Sequence, residues 1–161
     1  EVRGFELQGS VDFRNGFTAI ASYTDAESKV AGGTQLARIP RTYGKAGAAY
    51  DAGQWGAEVN ALWVGELRTG SLPGSADHPN GLTGGPVDFG DYVVIDIAAH
   101  MFIDADQKHK LTARLENAFD EDYPTGVGRS APSAGNDTTP AFVFGFRGVP
   151  QTFHLSYSYA F

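Results

Sequence analysis

Four histidines are the side chains of this sequence best suited to bind a metal ion or to move a proton: His78, His100, His109 and His154. They lie far apart, whereas the ligands of a zinc motif are paired within a few residues. The acidic run Asp120-Glu121-Asp122 offers oxygen ligands, but it lacks the glycine and final glutamate of a dedicated calcium loop. We therefore expect solvated or lumen-facing histidines, a solvated acidic loop and no metal site.

Motifs for catalysis and for nucleotide binding are missing from the sequence. Gly126-Val127-Gly128-Arg129 lacks the Lys and Ser/Thr that a phosphate-binding loop needs, and no nucleophile elbow or zinc-protease motif occurs. The 12 Lys+Arg and 19 Asp+Glu give a net charge of -7, which disfavours a nucleic-acid partner. Cysteine is absent, which excludes disulfides and thiolate metal sites. We expect neither an enzyme nor a cofactor-binding protein.

Seven segments alternate between apolar and polar residues with a period of two, which is typical of β-strands with two different faces. The 21 Gly and 8 Pro also favour strands and turns. The most apolar stretch, Tyr92 to Ile103, is short and carries Asp96 and His100, so it is not a membrane-spanning helix. The segments are 3–14, 17–25, 41–51, 54–63, 93–101, 111–116 and 152–161.

Aromatic residues on the apolar faces recur eight positions apart. Eight residues of a tilted strand cover on the order of 20 Å of height, close to the apolar band between the two aromatic girdles of a membrane barrel. This spacing predicts strands that cross a membrane. The three pairs are Phe5 and Phe13, Trp55 and Trp63, and Phe153 and Phe161.

The opposite faces carry charged residues, which a wide barrel tolerates in its aqueous lumen. A soluble sandwich with its apolar faces packed together gives the same alternation, so the pattern alone leaves that alternative open. The residues predicted to face the lumen are Glu6, Asp12, Glu58, Asp96, His100, Arg114 and His154.

Short and long connections follow each other in turn. Residues 14–16, 51–54 and 104–108 are short, whereas 26–40, 68–90 and 119–150 are long and polar or rich in Gly and Pro. Outer-membrane barrels have this asymmetry, with short periplasmic turns and long extracellular loops.

The run Leu115-Glu116-Asn117-Ala118-Phe119-Asp120-Glu121-Asp122-Tyr123 resembles a segment near the end of TonB-dependent receptors. Residues 16–27 and 38–41 resemble other stretches of the same family. The resemblance implies an all-β fold: an antiparallel transmembrane β-barrel segment, about the last seven strands of a 22-stranded barrel. Residues 1–161 would then be the C-terminal part of the barrel, with the plug domain and the earlier strands absent from a cleaved, split or partly represented chain.

The last strand is similar to the signal by which outer-membrane proteins are recognised for assembly. Four alternate residues of this predicted strand carry the likeness. They are Leu155, Tyr157, Tyr159 and Phe161.

Membership of this family implies an outer-membrane receptor that imports a scarce nutrient, such as a ferric siderophore or a similar iron chelate. The implied partners are the remaining strands and plug of the same receptor, a TonB-type energy-coupling protein, outer-membrane lipid and a small-molecule chelate. The alternatives are a passive porin or multi-chain translocator barrel, and a soluble β-sandwich carbohydrate-binding module.

Aromatic and cationic loop residues suit an anionic or aryl chelate. These candidates are His78, Tyr92, Tyr123, Arg129, Phe142, Phe144 and Arg147.

Overall fold

The computed structural model describes residues 1–29, 39–68, 87–130 and 142–161, and all regular elements within them are β-strands. Seven strands form one antiparallel sheet, and two further strands pair in a separate small sheet. No helix in this part of the chain is long and apolar enough to cross a membrane. The main sheet contains β1 (Val2–Asp12), β2 (Phe17–Ser28), β3 (Thr42–Asp51), β4 (Trp55–Arg68), β5 (Asp88–Phe102), β6 (His109–Glu116) and β9 (Thr152–Tyr159), in that order, and the small sheet contains β7 (Pro124–Ser130) and β8 (Phe142–Arg147).

The strand pairing places the seven predicted apolar sets on one side of the main sheet, which we call the apolar face. Directly paired residues of neighbouring strands point to the same face, so one row across the sheet tests all seven assignments at once. The predicted alternation is confirmed in every strand of the sheet, including β3, whose many small residues make the pattern weakest. One such row is Val11, Ala19, Ala48, Val59, Ile97, Leu115 and Phe153.

The apolar face is open. Leu7 is 64% exposed, Val59 41% and Leu155 62%, and the only buried apolar side chains within the described ranges are Val64 and Leu67. A β-sandwich would bury these faces against a second sheet, so the sandwich alternative is wrong for the described residues. An apolar surface of this extent is unfavourable in water and favourable in a bilayer.

Two rows of aromatic rings cross the apolar face. One row, which we call the upper aromatic row, contains Phe5, Tyr23 and Trp63. The ring centroid of Tyr23 lies 5.9 Å from the centroid of Phe5 and 5.9 Å from that of Trp63. Gly44 separates Tyr23 from Trp63, and a Cβ at this position would lie 3.3 Å from the Trp63 ring. In the lower aromatic row, Tyr50 lies 4.4 Å from Phe17 and 5.1 Å from Trp55. Trp55 and Trp63 thus belong to different rows, as their eight-residue spacing predicts.

The predicted short connections are tight turns, all at the same end of the sheet. Each is closed by an aspartate that accepts a backbone N–H: Asp12 from Arg14 at 2.8 Å, Asp51 from Gly53 at 2.6 Å, and Asp104 from His109 at 2.8 Å. Desolvation raises the pKa of Asp104, but the backbone hydrogen bonds from His109 and Lys108 lower it more, and the net pKa lies below its usual value.

Neighbouring turns are also tied to each other by two glutamines. Gln54 donates to the carbonyl oxygens of Phe102 and Asp104, at 2.7 and 2.9 Å. Gln107 donates in return to the carbonyl oxygen of Gly53 at 3.1 Å. The β3–β4 and β5–β6 hairpins are therefore linked at the short-turn end.

Two sequence predictions about the long connections are wrong. The predicted connection 68–90 is shorter than expected, because β4 and β5 continue their pairing to Arg68 and Asp88, whose side chains form an ion pair at 2.6 Å. Tyr92 therefore lies in a strand and not in a loop. Gly90 and Asp91 have positive φ, which interrupts the regular strand here, so apolar alternation could not reveal this part of the sheet.

The predicted connection 119–150 contains the strands β7 and β8, which the sequence analysis missed. Glycines at 126, 128 and 145 remove the alternation that marks a strand. Several predicted loop residues consequently lie in strands. These are Arg129, Phe142, Phe144 and Arg147.

Candidate functional site

The charged residues predicted to face the lumen all lie opposite the apolar face, on what we call the polar face. One cross-strand row of this face contains Glu58, Ala98, Arg114 and His154. His100, two residues after Ala98 on the same strand, pairs with Gly56 and lies on the same face. Glu6, Asp12 and Asp96 have the same parity within their strands. That this face lines a lumen stays a prediction.

Three strands bring four charged or titratable side chains of the polar face into one network. Arg114 on β6 lies 3.2 Å from Asp96 on β5 and 3.2 Å from Glu116, which in turn lies 3.3 Å from His154 on β9. The residues predicted to face the lumen include three of these four and omit Glu116. Glu116 is two residues from Arg114 on the same strand, so it lies on the same face. Glu6 and Asp12 lie far from this network, on β1.

A hollow of about 500 Å³ lies on the polar face beside this network. Lys45 and Asn60 line it from β3 and β4, and Asp96 and Arg114 line it from β5 and β6. Tyr123 closes part of its wall from the connection between β6 and β9. The hollow therefore presents both cations and carboxylates to whatever fills it.

Asn117 closes the base of the long connection, and it is almost fully buried, with 1% exposure. Its side-chain amide donates to the carbonyl oxygens of Glu121 and Val149 at 2.9 and 3.0 Å, and its side-chain oxygen accepts the N–H of Glu121 at 2.9 Å. Its backbone N–H donates to Asp96 at 2.9 Å. We call these contacts the Asn117 clamp, and we call the connection it closes, residues 117–151, the arm.

The backbone of Asn117 has a φ of 47°, a left-handed conformation that asparagine tolerates better than most residues. The run 115–123 is the segment that carries the family resemblance. The buried amide gives that run a physical role, because it holds together residues far apart in sequence. Sequence reasoning alone missed this role.

Tyr123 joins the two ends of the arm a second time. Its hydroxyl accepts the N–H of Val149 at 3.1 Å, and its carbonyl oxygen accepts the N–H of Gly148 at 2.8 Å. Its ring lies 4.7 Å from the ring of Tyr92 on β5. Two of the predicted ligand residues, Tyr92 and Tyr123, are thus brought together at the edge of the hollow.

Gly148 lies against the ring of Tyr123 so closely that a Cβ would overlap three of its carbon atoms. We expect Gly148→Ala to displace Tyr123 and to loosen the base of the arm, which should raise the rate of proteolysis within residues 124–147. The matched control is Gly145→Ala, because a Cβ there meets nothing closer than 3.8 Å. Equal cleavage rates in the two variants would contradict this placement of Tyr123.

Among the side chains that the structure describes, the other predicted ligand residues Phe144 and Arg147 have separate partners. Arg147 forms an exposed ion pair with Asp122 at 3.1 Å, and Phe144 lies 5.7 Å from Phe146. In the backbone register of the small sheet, Arg129 pairs with Val143 and Phe142 pairs with Ser130. His78 falls outside the described residues.

The residues predicted to form the assembly terminus lie on or just after β9. Leu155, Tyr157 and Tyr159 pair with residues of the apolar face, and Tyr159 lies 5.1 Å from Phe161. His109 contacts the Tyr157 hydroxyl at 2.6 Å. Within the described ranges, no group of three or more His, Cys, Asp or Glu residues could hold a metal ion.

Residues 1–118 match the family model described as TonB dependent receptor-like, beta-barrel. No curated protein sequence matches the chain. Solved structures do match it in fold, over nearly its whole length.

The chain is similar to part of FpvA of Pseudomonas aeruginosa, solved with heterologous pyoverdines, at 18% identity and a TM-score of 0.74, covering 98% of this chain and 19% of that one. It is also similar to the siderophore receptor PiuA of Acinetobacter baumannii at 15% identity and a TM-score of 0.68, covering 98% and 21%. The ferric citrate transporter FecA, in its unliganded form, matches at 20% identity and a TM-score of 0.68, covering 98% and 24%. The chain thus spans about a fifth to a quarter of the length of these proteins.

Proposed function

Because the chain belongs to the TonB-dependent receptor-like β-barrel family, a family of bacterial outer-membrane proteins, we propose that it forms part of the wall of a receptor for energised nutrient import. The observation that carries the proposal is the contrast between the two faces of the sheet. One face is apolar, exposed and crossed by two aromatic rows, and the other carries the ion-paired network. A barrel wall between lipid and an aqueous lumen needs this contrast.

The proposal includes further strands and a plug domain from the same receptor. Within the residues that the structure describes, β1 and β9 each have a paired neighbour in the main sheet on one side only. A backbone N–H or C=O left without a partner in hydrocarbon costs several kcal/mol. Additional strands that pair with both edges remove this cost, and a plug domain fills the lumen that the polar face lines.

The proposed cargo is a ferric siderophore or a similar iron chelate. Similar solved structures include a pyoverdine-bound receptor, a siderophore receptor and a ferric citrate transporter. The rings of Tyr92 and Tyr123 and the cation of Arg147 offer stacking and charge pairing to an anionic or aryl chelate. The energy for transport comes from a TonB-type protein that acts on the plug.

Uptake of radioactive iron by iron-starved cells tests this proposal, with the receptor that contains this chain as the only iron receptor. Hydroxamate, catecholate and citrate chelates of iron are supplied in turn. We expect saturable uptake of at least one chelate, and we expect that uptake to stop when the TonB-type protein is deleted. Uptake that rises linearly with concentration and does not need the TonB-type protein would support a passive porin instead.

A further inference from the structure

Lys45 on β3 is an exposed cation of the polar face with no opposite charge beside it. Its cross-strand neighbours are Ser22 and Leu62, and Val94 follows in the same row. Its ammonium lies 5.5 Å from the centroid of the Tyr43 ring, and no carboxylate of the described residues forms an ion pair with it. The ring covers one side of an ammonium that has three N–H donors, so Lys45 still has donors for an anion.

The other charged side chains that line the hollow are already paired with one another. The guanidinium of Arg114 lies 3.2 Å from the carboxylates of both Asp96 and Glu116. Among the described residues around the hollow, Lys45 is therefore the charged side chain that remains for a ligand. A concave surface that carries an unpaired positive charge attracts a ligand of the opposite sign.

A second hollow adjoins the first on the polar face, and Lys45 and Ile20 line both of them. Their volumes of about 500 and about 420 Å³ lie within the range of small-molecule sites, about 300–1,000 Å³. The second hollow is also lined by the uncharged polar side chains of Gln8, Ser10 and Ser22. Lys45 thus lies where two concave surfaces meet, with hydrogen-bonding groups around it.

We propose that the two hollows form a ligand subsite on the lumen wall, in which Lys45 binds a carboxylate of a hydroxycarboxylate chelate of iron. The side chains of Gln8, Ser10 and Asn60 suit the hydroxyl and carbonyl oxygens of such a ligand, because they donate hydrogen bonds without adding charge. The inference rests on the proposed function for the statement that the polar face lines a lumen, and it narrows the cargo to an anionic chelate.

Acylation of lysines by an uncharged N-hydroxysuccinimide ester, followed by mass spectrometry, tests the subsite on the purified, detergent-solubilised receptor that contains this chain. Ferric citrate is the anionic probe, and a neutral ferric trihydroxamate is the matched control. We expect saturating ferric citrate to slow the acylation of Lys45 by roughly fivefold or more, because a charge-assisted hydrogen bond holds the ammonium against the ligand. The trihydroxamate should have no such effect.

Lys110 is the internal control of the same experiment. It lies over the Phe102 ring on the polar face and lines neither of the two hollows, so its acylation rate should not change with either chelate. A titration that follows intrinsic fluorescence adds a second measurement. Lys45→Gln should weaken the binding of ferric citrate about tenfold or more, whereas Lys110→Gln should leave it unchanged within about twofold.

Unchanged acylation of Lys45 in ferric citrate would overturn the inference, and so would equal protection of Lys110 or equal protection by the neutral chelate. Slow acylation of Lys45 before any chelate is added, with no further effect of ferric citrate, would assign the ammonium to a carboxylate of the plug instead. Acylation measures binding and not uptake. Energised import of a neutral chelate alone would therefore leave the proposed function standing without this subsite, and protection of Lys45 without import that needs the TonB-type protein would do the reverse.

Discussion

Replacing Val59 with arginine should destabilise the folded barrel by about 2–4 kcal/mol, the cost of a cation at the middle of the lipid-facing surface. Val59 lies midway between Trp55 and Trp63, which belong to the two aromatic rows, and it is 41% exposed on the apolar face. No carboxylate in its cross-strand row can pair with the new charge, because Ala48 and Ile97 are its direct neighbours. Urea unfolding of the receptor in lipid vesicles, followed by heat-modifiable gel mobility, measures the change.

The matched control is Glu58→Arg, which places the same side chain one residue away on the opposite face. We expect this variant to stay within about 1 kcal/mol of the native protein, because the polar face meets water or a polar partner. Similar losses in both variants would mean that the two faces are assigned wrongly.

Asn117→Ala should destabilise the protein by about 2–4 kcal/mol through the arm. The substitution removes the three hydrogen bonds that the buried Asn117 amide makes with Glu121 and Val149, and each such bond contributes about 0.5–1.5 kcal/mol. Alanine also tolerates the φ of 47° less well than asparagine does. The same unfolding assay, combined with proteolysis of the arm, measures both the loss and its location.

Asn117→Gly separates the two contributions, because glycine accepts the positive φ but has no amide. We expect it to recover about 1 kcal/mol of the loss and no more. Asp122→Asn is the control for the arm itself: it removes an exposed ion pair to Arg147, which should matter by less than about 1 kcal/mol. If Asn117→Ala behaved like Asp122→Asn, the buried amide would not be what closes the arm.

The sequence predicts the main sheet well because each of its strands has two chemically different faces. Even 41–51 is correctly placed, since Ala46, Ala48 and Tyr50 fall in register with the apolar residues of β2 and β4. The small sheet could not be predicted in this way. In this sheet, Gly126 pairs with Phe146 and Gly128 pairs with Phe144. The β7 positions that should carry the apolar side chains of an alternating strand are therefore glycines.

The candidate site was predictable only in part, for a similar reason. Asp96, Arg114 and His154 follow from strand parity, and their meeting follows once β5, β6 and β9 are neighbours. The clamp depends on contacts between residues that are distant in sequence, such as the 32-residue separation of Asn117 and Val149. A buried asparagine with a left-handed backbone resembles any other loop asparagine until those contacts are seen.

The order of strands in the main sheet has a consequence for how the protein enters the membrane. Each strand from β2 to β6 pairs with the one that directly precedes it in the chain, so insertion can proceed as a series of adjacent hairpins. The pairing of β6 with β9 is different, because it must first bring together the two ends of the arm, and the entropy of loop closure opposes it. The Asn117 clamp joins those same two ends. We therefore expect it to set the rate at which β9 pairs with β6 during biogenesis, as well as the stability of the finished wall.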